Sequence, residues 1–117
     1  MNGQLTPNMV AGQLAQLARD LDVTVEQMKT AEIDHVEKRA AFDLAFSRAF
    51  LSGDGSVDAR KHAAVEKTHD ARMAADVADA LVRHLRRRLD ALKVRIDVGR
   101  SVGAALRTEI SLAGVSD

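Results

Sequence analysis

Two Glu-x-x-His pairs, Glu32/His35 and Glu66/His69, are the residues of this sequence best suited to chemistry. On a helix, a carboxylate and an imidazole three residues apart share a face, the arrangement by which helical bundles hold paired metal ions. His62, Glu66, His69 and Asp70 also fall on one helical face. A metal centre would need both pairs in one layer of a hairpin. A hairpin centred near Asp54 sets residue 32 beside 76 and residue 66 beside 42, leaving the pairs about 15 Å out of layer. The expectation is surface histidines and no metal. There is no Ser/His/Asp order, and Gly53 and Gly55 lack the Lys-Ser/Thr that follows a phosphate-cradling loop. With no cysteine, thiol catalysis and Cys-ligated zinc are excluded. Neither an enzyme nor a cofactor is expected.

Charge is the second chemical feature. Seventeen basic and seventeen acidic residues give no net charge, but the balance is uneven along the chain. Residues 1–56 carry five basic against eight acidic residues, whereas 57–117 carry twelve against nine. Between Ala80 and Thr108, eight basic residues face only Asp90 and Asp97. A basic segment in a neutral chain is a local anion-binding surface or a solvated helix face. Within it Arg86, Lys93, Arg100 and Arg107 stand seven apart, a row of about 31 Å on a helix. An extended nucleic-acid strand could follow such a row through its phosphates. The other reading is salt bridges between subunits, to Asp and Glu of the net-acidic first and second helices of neighbouring copies. Phe42, Phe46 and Phe50 form a stripe that could stack bases, but the expectation for a stripe beside a turn is core. No aromatic interleaves with the cations, so any strand binding should be phosphate-led and indifferent to sequence.

The elements that must position these residues are helices. Of the 117 residues, 46% are hydrophobic and 29% charged, with three Phe, no Trp or Tyr and one Pro. That composition favours an all-α fold and excludes a sandwich or barrel rich in aromatics and turns. No apolar run reaches the roughly 20 residues of a membrane span, and a cytoplasmic protein is expected. Thr6-Pro7 reads as a helix start, with apolar residues following at Val10, Leu14, Leu17 and Leu21. Asp22-Val23-Thr24 reads as a break, and Thr24 with Gln27 as a capping box. The chain is therefore expected to form one helical domain. It has a short helix over about 7–21, a second over 25–51, a turn at 52–56 and a third helix over 57–112. The last two make a long antiparallel hairpin.

The third helix carries the most regular pattern. Ala78, Val82, Leu85, Leu89, Leu92, Ile96, Gly99, Gly103, Leu106, Ile110 and Ala113 alternate steps of four and three, a five-heptad seam. Ala91, Val94, Val98, Val102 and Ala105 add a second stripe. Beyond Arg83 this helix outruns its hairpin partner, and a first helix of roughly 22 Å is too short to cover the overhang. The expectation is a homo-oligomer with Leu89, Leu92, Ile96, Leu106 and Ile110 in the interface. The four-cation row then occupies heptad position e, with Arg88 and Arg95 at g. A parallel dimer would set Arg beside Arg, so the sequence favours an antiparallel or higher assembly, or a bound polyanion.

In that layout, a helix ending in Ala49-Phe50-Leu51-Ser52-Gly53-Asp54-Gly55 leads to Arg60 and Glu66. A long Ala-rich helix with Leu81, Leu92, Ile96 and Arg100 follows. The pattern resembles the bacteriophage recombination mediator (UvsY) family over about residues 35–113, most densely from Lys38 to Gly55. The resemblance implies a ring-shaped homo-oligomer that binds single-stranded DNA. It would help a RecA-like recombinase replace single-strand-binding protein there, a role in DNA recombination in the host cytoplasm. The family's DNA-contacting segment lies just before the Ser-Gly turn, which brings in Lys38, Arg39 and Arg48 as candidates. Phe50 and Leu51 stand where that family has two tyrosines. The competing reading is a structural or chaperone-like helical oligomer without a nucleic-acid role.

Overall fold

A computed structural model describes residues 4–115, and every regular element among them is a helix. Helix α1 spans Pro7–Leu51, α2 Val57–Lys67 and α3 His69–Val115. The fold class is all-α, and a helical hairpin turns between α1 and α2.

The separate short N-terminal helix expected from the sequence does not exist. Residues 7–21 and 25–51 are one helix of 45 residues, about 68 Å long. Thr24 is the reason the expected break fails. Its hydroxyl donates to the Asp20 carbonyl at 2.7 Å, satisfied inside the helix rather than capping a new one. The residue is only 1% exposed. Val10, Leu14, Leu17, Leu21, Thr24, Met28, Ala31 and His35 keep the alternating spacing of four and three straight through Asp22-Val23-Thr24. Thr24 is therefore a seam residue with a small polar atom. The start of α1 is as read: the Met9 amide donates to Thr6 Oγ1 at 3.2 Å, and Pro7 opens the helix.

The turn also forms where expected. The Ser52 amide returns to the Arg48 carbonyl at 3.0 Å and the Gly53 amide to that of Phe50 at 3.3 Å. Gly55 takes φ +92°, the left-handed region that suits a residue without Cβ. Ser56 then caps α2 by accepting from the Ala59 amide at 3.1 Å. The expected third helix is interrupted at Thr68, which sits at φ −107° and ψ 14°. Its amide and hydroxyl both donate to the Ala64 carbonyl, at 3.0 and 2.7 Å, the local competition that bends helices at Thr. Gly99 and Gly103 lie inside the continuous α3.

The chain divides into two compact units, Met1–Glu26 with Arg87–Asp117, and Gln27–Arg86. In the first, a Cβ on Gly99 would lie 2.7 Å from Leu14 Cδ2, and one on Gly103 3.4 Å from Val10 Cγ1. Residue n of α1 thus lies across from residue 113−n of α3, so the segments are antiparallel and close. Val10, Thr24, Leu92 and Gly103 are its buried positions. In the second unit, Ala31, Val82 and Leu85 form a buried cluster against which Met28 packs. Ala64, Thr68, Ala75 and Ala78 continue the buried line. All these α2 and α3 residues fall in phase with the seam read from the sequence. Its partner is α1 of the same chain: Leu92 is 2% exposed, and Leu89, Ile96 and Leu106 are half-buried, while Ile110 is exposed. The overhang that required other copies disappears, because α1 continues back along α3.

Thr24→Val tests this account. As a seam residue, Thr24 should tolerate the change with unfolding free energy in urea lowered by less than about 0.5 kcal/mol, or raised. An N-cap would instead lose about 1 kcal/mol.

Candidate nucleic-acid interface

In the first unit, α3 presents Lys93, Arg100 and Arg107 along one edge of the seam, all exposed. The α1 residue on that edge is Ala11, which lines a crevice with Pro7, Val10, Leu14, Gly103, Arg100 and Arg107. Ala18 and Val25 repeat Ala11's position at seven-residue intervals. Within the first unit no carboxylate occupies that series; its next member, Glu32, lies in the second unit. Arg100 reaches only Asp97 of its own helix, at 3.9 Å, with both side chains more than 70% exposed. A pair so open to water contributes little. Lys93 and Arg107 make no ion pair with the described residues, and neither does Arg86, which belongs to the second unit. Within the chain, this row therefore makes no salt bridge to the acidic half among the described residues. What remains is a row of cations beside small apolar residues, free to take external anions.

The other edge of the seam differs. Arg95 lies with Gln13 and Gln16 over an apolar groove formed by Leu5, Leu14, Leu17, Val94, Val98 and Val102. The second apolar stripe is thus a groove wall, with Val94 61% and Val98 57% exposed.

The candidates before the turn lie in the second unit and are more engaged. Lys38 Nζ is 3.3 Å from Asp34 and Arg39 Nε 3.4 Å from Asp43, each one helical turn away. The Arg39 guanidinium also stands 5.5 Å from the Phe42 ring centre, a favourable position for a cation. Arg48 lines a shallow cleft with Ala45, Ala49, Ser52, Lys67 and Thr68. Sequence reasoning missed Lys67 here, since a turn centred at Asp54 sets residue 48 beside 60. Phe42, Phe46 and Phe50 are each half-buried. Phe42 and Phe46 meet at 6.1 Å with rings tilted by 55°, a packing geometry rather than an open stacking platform.

The Glu-x-x-His pairs do not converge. His35 Nε2 faces Asp79 Oδ1 at 3.9 Å across the hairpin, and no group of three or more His, Cys, Asp or Glu among the described residues is placed to hold a metal. No helix of the described residues is long and apolar enough to cross a membrane. Comparison with family models, curated proteins and solved structures finds no match for the chain.

Phe46→Ala should lower unfolding free energy by about 2–3 kcal/mol in urea titration, below the cost for a fully buried ring. A ring held for base stacking would lose almost no stability on truncation.

Proposed function

We propose that this protein binds single-stranded DNA along the exposed edge of α3 and serves as a phage-type recombination mediator. One observation carries the binding: Arg100 and Arg107 line a crevice with Ala11 of α1, and Ala18 and Val25, not carboxylates, repeat that position at the heptad spacing on the side toward Lys93. Lys93 and Arg107 have no ion-pair partner among the described residues and Arg100 only a water-exposed one, and neutralising phosphates would release the counterions condensed on the strand. Arg86, in the second unit, stands seven residues before Lys93 in the sequence. Lys38, Arg39 and Arg48 form a secondary set before the turn, two of them already satisfied by neighbouring aspartates. The mediator role, with a RecA-like recombinase and single-strand-binding protein as partners, rests on the resemblance of residues 35–113 to the UvsY-like family. Self-association belongs to the same proposal.

A second reading has its own support. Ile33, Val36, Leu44 and Leu51 are 50–77% exposed on α1, and contiguous apolar surface marks interaction sites. A structural or chaperone-like oligomer without nucleic acid would need that surface and not the cations.

Binding of a fluorescent oligo-dT, titrated with salt, separates the two. The cationic edge should give a log–log slope near −0.7 per phosphate contacted, with little dependence on base sequence. Arg100→Gln should reduce the slope by about one contact and leave the helical signal and light-scattering mass unchanged. An unaltered slope would shift the site to Lys38, Arg39 and Arg48. No binding at low salt would leave the structural oligomer.

A further inference from the structure

We infer that the crevice between Arg100 and Arg107 is a seat for a single phosphate group. The inference uses the same cationic edge as the proposed function but names one point on it with its own geometry. Four observations meet there. Two arginines seven residues apart, about 10 Å along the helix, both line one small depression. The floor is Gly103, and the Arg107 guanidinium is folded back over it, with Nη1 3.4 Å from where a Cβ would stand. The α1 residues facing it are Pro7, Val10, Ala11 and Leu14, so no carboxylate of α1 neutralises it. Its volume is about 120 Å3, against the 10–15 Å3 a single water requires on the same measure.

The recognition chemistry follows from the residues. A guanidinium offers two parallel N–H donors that match the spacing of phosphate oxygens, and two of them can grip one phosphate from opposite sides. Aliphatic and glycine surroundings add no acceptor that would compete. The one nearby carboxylate, Asp97, holds Arg100 only at 3.9 Å and in water, a contact a phosphate can displace. Gly103 is then a positioning residue as well as a packing one, because a methyl group there would meet only ordinary contacts with Val10 and Arg107 while occupying the floor. The phosphate could be inorganic or part of a nucleic-acid backbone, and the chemistry is shared.

The test is a titration of the 15N-labelled full-length protein with inorganic phosphate, against chloride at matched ionic strength. A parallel arm uses oligo-dT with and without a 5′-phosphate. The Gly103 and Ala11 amide signals should shift saturably with phosphate. Arg107→Gln should weaken that binding about tenfold or more, the loss of one charge-assisted contact. Gly103→Ala should weaken it comparably while the melting temperature holds or rises, because alanine favours helix. Lys29→Gln, a cation of the other unit, should change nothing. No saturable shift at Gly103, or full affinity in Arg107→Gln, overturns the inference. Phosphate binding that oligo-dT competes away identifies the backbone as the source. Phosphate binding without any oligo-dT binding keeps the seat for free phosphate and defeats the DNA reading. Oligo-dT binding that leaves Gly103 unmoved defeats the seat and keeps the DNA reading.

Discussion

The arrangement depends on the spacing of α1 staying in phase through Asp22-Val23-Thr24. A heptad seam tolerates a threonine if its hydroxyl finds a local acceptor, and the Asp20 carbonyl at 2.7 Å provides it. Had the phase slipped there, residues 7–21 would have formed a separate helix free to pack elsewhere. Because it holds, Val10 and Leu14 reach Gly103 and Gly99. The C-terminal seam of α3 is then closed by its own chain. The glycines matter as much as the leucines: at Gly99 the two helices come close enough that a Cβ would overlap the Leu14 methyl.

Closing the seam internally also decides what the cations do. In a parallel dimer through the same seam, the e-position row would have met like charges. In the antiparallel pairing within the first unit, the row meets the edge of α1 that carries Ala11. Small apolar residues neither repel the cations nor bind them. The result is an edge with positive potential and little structural commitment, where replacing one Arg should alter ligand affinity more than fold. Lys38 and Arg39 illustrate the opposite case. Each has an aspartate four residues away on the same helix, so part of their charge is already answered.

Much of this was legible in the residues. The Ser52–Ser56 turn and the phase of the seam beyond it follow from glycine placement and apolar spacing, which are local signals, whereas the interruption at Thr68 left no such mark. Gly55 at φ +92° is what that turn requires. The break at Thr24 was misread because Thr followed by Gln three residues later has the same letters whether it caps a helix or continues one. The apolar steps on either side contained the answer, since 21, 24 and 28 keep the heptad spacing. Register was not legible. A turn centred on Asp54 implies partners at 108−n, whereas the relation observed in the first unit is 113−n. Register is set by contacts between residues far apart in the chain, which local spacing does not carry, and Lys67 beside Arg48 in the second unit escaped for the same reason.

Two of the apolar surfaces left outside the seam bear on how the proposed activities could coexist. A pair of helices buries one stripe on each, and this chain has more apolar surface than that. Ile33, Val36, Leu44 and Leu51 lie on one arm, and Val94 and Val98 along the groove. Apolar area gains roughly 25 cal/mol per Å2 when removed from water, so these surfaces favour association more than the closed seam does. Association through the seam would have required opening the fold and placing arginines side by side. Association through the outward stripes requires neither. Val94 and Val98 share their groove with Arg95, whereas Ala11 and Gly103 line a separate crevice with Arg100 and Arg107. Self-association through the groove would thus leave that crevice and its cations open to a polyanion. In the proposed mediator, subunit contacts and strand contacts would then use opposite edges of one seam, and strengthening either would not sacrifice the other.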